Sequence, residues 1–344
     1  MNDLLKQETE KLVRSWMQYE PEHLGQYLIS GVEDPRINLQ SMLTRHFLLR
    51  ELFGDRFDRL MFEECRFAAT LNWLLTLGTE LTDTDVRAAL LHALRQGSDN
   101  AEGLIIPGFL SDAFRGLPVP AESLCSIEVP NYLEDLLNRP AHESETPVDC
   151  QTIETFVRLW RSMLSPLSQE ISERLSVLEP ASGSANEYRF LHAYGLTPLI
   201  DYSGFDLCEK NVVNARKHFP DARFNEGNVF EIKAADKSFD LCFLHDLLEH
   251  LSVEGMQRAI AELCRITRQS ISIGFFQMHE GPEHIIRHVD EYHWNTLSME
   301  RVRTLFQEQG FDTQVIHIAS FLAQKCGCNY THNRDAYTLV MRRP

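Results

Sequence analysis

Nowhere in the 344 residues does an apolar run approach the roughly 20 residues that a membrane-crossing helix needs. Basic residues are scarce, 33 Lys and Arg against 50 Asp and Glu, for a net charge of −17. They form only short pairs, so a phosphate backbone would be repelled and nucleic acid is not the expected partner. No CxxC pair occurs among the eight cysteines, and the one close pair, Cys326-Gly-Cys328, has no second Cys or His pair at zinc-finger spacing. The scattered cysteines are therefore read as reduced thiols and no metal is assigned. The opening MNDLLKQETEKLVRSW is amphipathic and lacks a signal-peptide core, so a soluble, cytoplasmic protein is expected.

What is present is ordinary globular material, 43% hydrophobic and 24% charged. The first half has helical periodicity. Asp34 and Pro35 open one expected helix, and Gly54 stops it after Phe47, Leu49 and Leu52. A second runs to Gly78, and a third has Thr82 or Asp83 as its cap and Gly97 as its stop. Prolines punctuate the chain from Gly97 to Gln151, and the polar stretch NRPAHESETPVDCQ reads as a linker. The expected organisation is a helical domain over 1–150, covering the substrate or mediating oligomerisation, and a second domain over 151–344. A homodimer is left open.

After residue 151 the rhythm changes. Short apolar runs, SVLEP, LIDYSGFDL, ARFNEGNVF, FDLCFLH and SISIGFF, alternate with helical segments. That alternation predicts an α/β fold with a doubly wound, mostly parallel sheet. The last two runs, TQVIHIASF and AYTLVMRR, lack a clear helix between them and are expected to pair antiparallel at one edge.

Ligands of such sheets bind outside the carboxyl ends of the strands. The residues expected there are Glu179, Ala181, Ser182 and Gly183 after the first strand, and Asp206 with Leu207 after the second. Asn228 with Val229 follow the third strand, and His245, Asp246 and Leu247 the fourth. Asp206 stands 27 residues beyond Glu179, a spacing that suits an acid hydrogen-bonded to ribose hydroxyls or, equally, a helix cap.

Taken in order, these segments resemble the class I, Rossmann-like S-adenosylmethionine-dependent methyltransferases. Glu179 falls at the acid ending that family's first strand, and Gly183 at its central loop glycine. Ala181 and Ala185 stand where glycines are commoner. The resemblance implies a seven-stranded sheet and S-adenosyl-L-methionine as cofactor. It places Asp206 on the ribose and Asn228 toward the adenine, with His245 to Leu247 against the cofactor. S-adenosylmethionine has no phosphates, so alanine and serine are tolerable in a loop where a dinucleotide's pyrophosphate would favour glycine.

The place after the fourth strand reads HDLLEH, not the Asn/Asp-Pro-Pro-aromatic sequence of enzymes acting on planar nitrogen. A small-molecule acceptor, methylated on oxygen or nitrogen, is expected instead. The segment FFQMHEGPEHIIRHVDEYHWNTLS supplies histidines, and His279 and then His284 are the expected catalytic bases. If helical, His284 and His288 would share a face there, and Glu280 or His293 could join them at a metal. Two rivals remain on sequence alone: a nicotinamide-dependent oxidoreductase, and a non-catalytic binding module that retains the fold.

Overall fold

Runs such as Ser270-Ile-Ser-Ile-Gly-Phe275 can be buried on both faces, which only a covered parallel sheet permits. In the computed structural model, which describes residues 1–16, 39–77, 81–108, 110, 131–139, 150–326 and 334–344, they lie at the centre of a seven-stranded sheet. Its strands are β1 (Leu175–Pro180), β2 (Ile200–Asp206), β3 (Arg223–Glu226), β4 (Phe239–His245), β5 (Thr267–Phe275), β6 (Asp312–His317) and β7 (Tyr337–Arg342). The spatial order is β6-β7-β5-β4-β1-β2-β3. Neighbours from β3 to β5 are parallel, while β7 runs antiparallel to both β5 and β6. The chain winds outward from β1 to β3, returns to β4 and winds the other way. The crevice of such a sheet therefore opens between the ends of β1 and β4.

The helices are α1 (Asp3–Trp16), α2 (Leu39–Phe53), α3 (Asp58–Leu77), α4 (Thr84–Gln96), α5 (Asn131–Asn138), α6 (Cys150–Ser168), α7 (Asn186–Ala193), α8 (Glu209–His218), α9 (Val253–Ile266), α10 (Met299–Glu308) and α11 (Ile318–Cys326). Two compact units result. One holds Met1–Phe47, Ile171–Ile318 and Asp335–Pro344; the other holds Leu48–Glu170 and Ala319–Arg334. In the first, Cys242, Leu244, Ile260, Leu263, Ile271 and Ile273 form the centre of one apolar core, which also takes Leu5 of α1. The second centres on Phe67, stacked on Phe156 at 3.8 Å with Tyr132 edge-on to both. No helix among the described residues is long and apolar enough to cross a membrane.

Local signals explain many boundaries. Asp83 caps α4 by accepting from the Asp85 and Val86 amides, and Gly97 ends it with φ 63°. Gly54, φ 61°, turns the chain after α2 into a short 3₁₀ turn. The Asp34–Pro35 opening, the Gly78 stop, most of the linker, Cys125 and Cys328 lie outside the described residues. Three expectations change. Ile318–Cys326 is helical, so a helix does separate β6 from β7, which still pair antiparallel. The N-terminal half also holds a two-residue hairpin, Asn100–Ala101 with Leu104–Ile105. His284 and His288 share no helix: that segment forms short antiparallel pairs, Ile285 with Thr296 and His288–Val289 with Tyr292–His293.

Candidate cofactor and acceptor site

Asp206 ends β2 and organises the crevice. Its Oδ2 accepts the Gly183 N–H at 2.9 Å, and its Oδ1 accepts the Cys208 N–H at 2.8 Å and the Asn211 amide at 3.1 Å. One carboxylate thus fixes the loop after β1 and the start of α8 together. Ser182 N–H bonds the Phe205 carbonyl at 3.0 Å, and Ser184 bonds Asn211 at 3.1 Å, tightening the same joint. Burial raises the Asp206 pKa, opposed by these donors.

The loop itself adopts left-handed backbone three times, at Ala181 (φ 54°), Gly183 (φ 53°) and Ala185 (φ 70°). Two alanines therefore hold a conformation that glycine adopts without penalty. Beside the loop, Glu179 accepts from the Tyr202 hydroxyl at 2.5 Å. That contact needs Gly204, because a Cβ there would lie 2.6 Å from the Tyr202 oxygen. Burial drives the Glu179 pKa well above the usual range, against the Tyr202 hydrogen bond and with the help of Glu187 and Asp206.

The next side of the crevice is built by His245, at the end of β4. Its Nε2 lies 2.5 Å from Thr44 Oγ1 and 4.0 Å from Glu187. Gly274 on β5 makes room for the ring, since a Cβ there would meet Nδ1 at 2.6 Å. Ser41 donates to Glu187 at 2.7 Å, and Gln40 donates to the Phe275 carbonyl. Residues 40, 41 and 44 of α2 thus lay a buried polar strip across the ends of β1, β4 and β5. Sequence alone does not single out this strip, because Gln40, Ser41 and Thr44 form no recognised motif in a helix that also carries Arg45, His46, Arg50 and Glu51. Arg45, on the same helix, stacks on the Tyr194 ring at 4.0 Å.

Asp246 holds φ 47° and bonds the Gly274 carbonyl through its N–H at 3.0 Å. Leu207 and Leu247 follow Asp206 and Asp246 and are half-buried, while Val229 is buried in the core. Asn228 is engaged at both ends, accepting the Phe230 N–H at 2.8 Å and donating to Thr9 of α1 at 3.0 Å. Helix α1 therefore lies directly over the GNVF segment.

His279 and His284 sit farther along, where Met278–His279 pairs with Leu297–Ser298. Each ring accepts a backbone amide at Nδ1, from Gly281 and Ser298 respectively, both at 3.0 Å. Burial and Arg301 lower the His284 pKa. Among the described residues, no three His, Cys, Asp or Glu gather as a metal site requires.

Several buried polar atoms around the strand ends lack a partner: Ser182 Oγ, Asn186 Oδ1, Glu187 Oε1 and Glu249 Oε2. A ligand with amino, carboxylate and hydroxyl groups suits such a lining. With the acids and the small-residue loop, these groups fit S-adenosylmethionine.

Residues 178–271 match the family model described as a methyltransferase domain. No curated protein matches the chain. Similar solved structures include the YcgJ protein from Bacillus subtilis (13% identity, covering 53% of this chain and 98% of that one, TM-score 0.37). A second is an S-adenosylmethionine-dependent methyltransferase from Mesorhizobium loti (14%, 54% and 96%, TM-score 0.37). A third is the Burkholderia thailandensis 1,6-didemethyltoxoflavin-N1-methyltransferase with its acceptor and S-adenosylhomocysteine bound (14%, 63% and 92%, TM-score 0.38). The matched segment spans β1 to β5, which carry the crevice described above. The chain thus contains a methyltransferase domain of Rossmann-like fold, with S-adenosylmethionine as its cofactor, and helices precede it.

Proposed function

We propose that this methyltransferase acts on a small-molecule acceptor, at oxygen or nitrogen. The crevice at Asp206 supports the cofactor side of this reading, and the net charge of −17, which repels a polyanionic acceptor, supports a small molecule. S-adenosylmethionine, when bound, supplies a methyl group activated on a sulfonium.

Asp206 then accepts a ribose hydroxyl at the one lone-pair site of Oδ2 that Gly183 leaves open, with Leu207 beside it. Ala181, Ser182 and Gly183 face the amino acid portion, and Glu179, whose charged form burial disfavours, is drawn back toward that form by the cofactor's cationic groups. Asn228 and Val229 flank the adenine under α1. His245, Asp246 and Leu247 line the opposite side. His279 and His284 take donor roles, because a ring whose Nδ1 accepts an amide carries its proton on Nε2. The helical N-terminal part shapes the acceptor space or dimerises.

The test is transfer of labelled methyl from S-adenosylmethionine in a cell extract, fractionated by size. Label in the small-molecule fraction supports the reading. Label confined to protein or nucleic acid would falsify it.

A further inference from the structure

The turn that follows β4 contains a histidine whose tautomer is fixed by geometry. His250 Nδ1 lies 3.0 Å from the His293 carbonyl oxygen. A carbonyl can only accept, so Nδ1 carries the hydrogen and the neutral ring presents a lone pair at Nε2. Nε2 has no partner among the described residues. Burial lowers the pKa of this ring, which favours that neutral form.

Aromatic rings surround it. Trp294 lies 5.1 Å from His250, edge to face, and Tyr292 lies 5.8 Å away. Phe276, immediately after β5, meets Trp294 at 6.3 Å. Phe276 and Trp294 are 41% and 40% exposed, a contiguous aromatic surface at the carboxyl edge of the sheet. Contiguous exposed aromatic surface, unlike singly scattered side chains, marks an interaction site.

The wall is stapled in place. Asn295, 2% exposed, donates its amide to the Leu251 carbonyl at 2.8 Å and accepts the Arg287 N–H at 3.1 Å. Its own N–H bonds the Glu249 carbonyl at 2.9 Å. Glu249, through Oε1, accepts the Phe276 N–H at 3.1 Å. The turn after β4, the segment after β5 and the hairpin over 285–296 are thus one unit that holds His250 between Tyr292 and Trp294.

We propose that Phe276, Trp294 and His250 form the acceptor subsite, that it takes a planar aromatic compound bearing a hydroxyl or amine, and that His250 Nε2 receives the acceptor's proton. This rests on the small-molecule reading above. The acceptor's oxygen or nitrogen forms a bond to the methyl carbon as the carbon–sulfur bond breaks, its electron pair staying on sulfur. The displaced proton goes to Nε2, giving an imidazolium whose Nδ1–H remains on the His293 carbonyl. Glu249 and Asn295 are positioning residues.

The experiment offers labelled S-adenosylmethionine with two acceptor panels. One is aromatic (naphthol, hydroxyquinoline, a catechol, an aromatic amine), the other aliphatic (ethanolamine, glycine, a short hydroxy acid). Expected is transfer to aromatic acceptors alone. His250→Asn lowers kcat by at least about a hundredfold, as loss of a general base does, while S-adenosylhomocysteine affinity by calorimetry stays within about twofold. Trp294→Ala raises KM about tenfold with kcat little changed. Retained S-adenosylhomocysteine binding shows that each variant is folded. Transfer to aliphatic acceptors alone, aromatic transfer untouched by His250→Asn, or cofactor binding with no aromatic acceptor used would each overturn the subsite. Label found only in macromolecules would instead overturn the small-molecule reading on which it rests.

Discussion

Asp206 accepts the Gly183 N–H at 2.9 Å, and through that bond the end of β2 sets the position of the loop after β1. The same carboxylate accepts the N–H of Cys208, the residue before α8, at 2.8 Å, and no side chain caps the helix itself. The acid therefore braces the loop against α8 instead of serving as the helix cap considered for it. Asp206→Ala is expected to weaken S-adenosylmethionine binding by roughly 2–4 kcal/mol, since charge-assisted bonds to the ribose and the loop's anchor are lost together. Calorimetry checks this. Unchanged affinity in a folded variant would leave only the brace between the loop and α8.

Ala181 and Ala185 hold left-handed backbone beside Gly183. That conformation costs an L-residue about 1–2 kcal/mol, partly balanced by the roughly 0.4–1 kcal/mol by which alanine stiffens the unfolded chain. Ala181→Gly should therefore be neutral or stabilising by up to about 1 kcal/mol, with cofactor affinity kept. Gly183→Ala should destabilise, because its φ is 53° and a Cβ would also press on the Asn186 amide at 3.1 Å. Denaturant unfolding of the two variants decides the matter; equal effects of the same sign would contradict the backbone argument.

Much of this arrangement is legible in the residues themselves. The β-strand run SISIGFF, the Asp83 and Gly97 caps and the acid at position 206 act locally, through propensity, capping and spacing. The doubly wound sheet follows from strands alternating with helices, and its seven strands from the family resemblance. The IASFLAQ segment misleads because a short apolar run fits a strand or a buried helix equally well, and tertiary packing makes it helical from Ile318. The polar strip at Gln40, Ser41 and Thr44 is invisible because its partners, Phe275, Glu187 and His245, lie more than a hundred residues away. Glu249 and His250 lie in a short 3₁₀ turn ahead of α9. The helix starts at Val253, and the tautomer of His250 depends on a carbonyl 43 residues along the chain.

Glu249 is buried, and desolvation raises its pKa from 4.5 to about 7. A folded-state pKa above the unfolded one means that the group's contribution to stability is full below the unfolded value and is lost as pH rises through about 7. Glu249→Gln keeps an acceptor for the Phe276 N–H but removes the titration. The variant should match the wild type at about pH 5 and exceed it by roughly 2–3 kcal/mol at about pH 8. Thermal unfolding at the two pH values tests this; a stability difference that does not change with pH would rule out Glu249 as the source.

Helix α1 is held over the site by Glu8, which accepts the Ser252 N–H at 2.7 Å and the Ser252 hydroxyl at 2.6 Å. Ser252 is itself the cap of α9, accepting the Gly255 N–H at 2.9 Å, so the Glu8 charge sits at a helix N-terminus where it is favoured. Leu5 anchors the same helix in the core, and Thr9 bonds Asn228 at 3.0 Å. Glu8→Ala should cost about 1–2 kcal/mol through the lost charge-assisted bonds. Its local signature is faster hydrogen exchange across Asp3–Trp16 and at the first turn of α9, with the central strands β4 and β5 unchanged. If α1 screens the adenine side of the crevice, the same variant releases S-adenosylhomocysteine faster while its association rate stays near that of the wild type. Stopped-flow measurement separates the two rates. A variant with loosened α1 but an unaltered release rate would show that the helix braces the sheet without covering the cofactor.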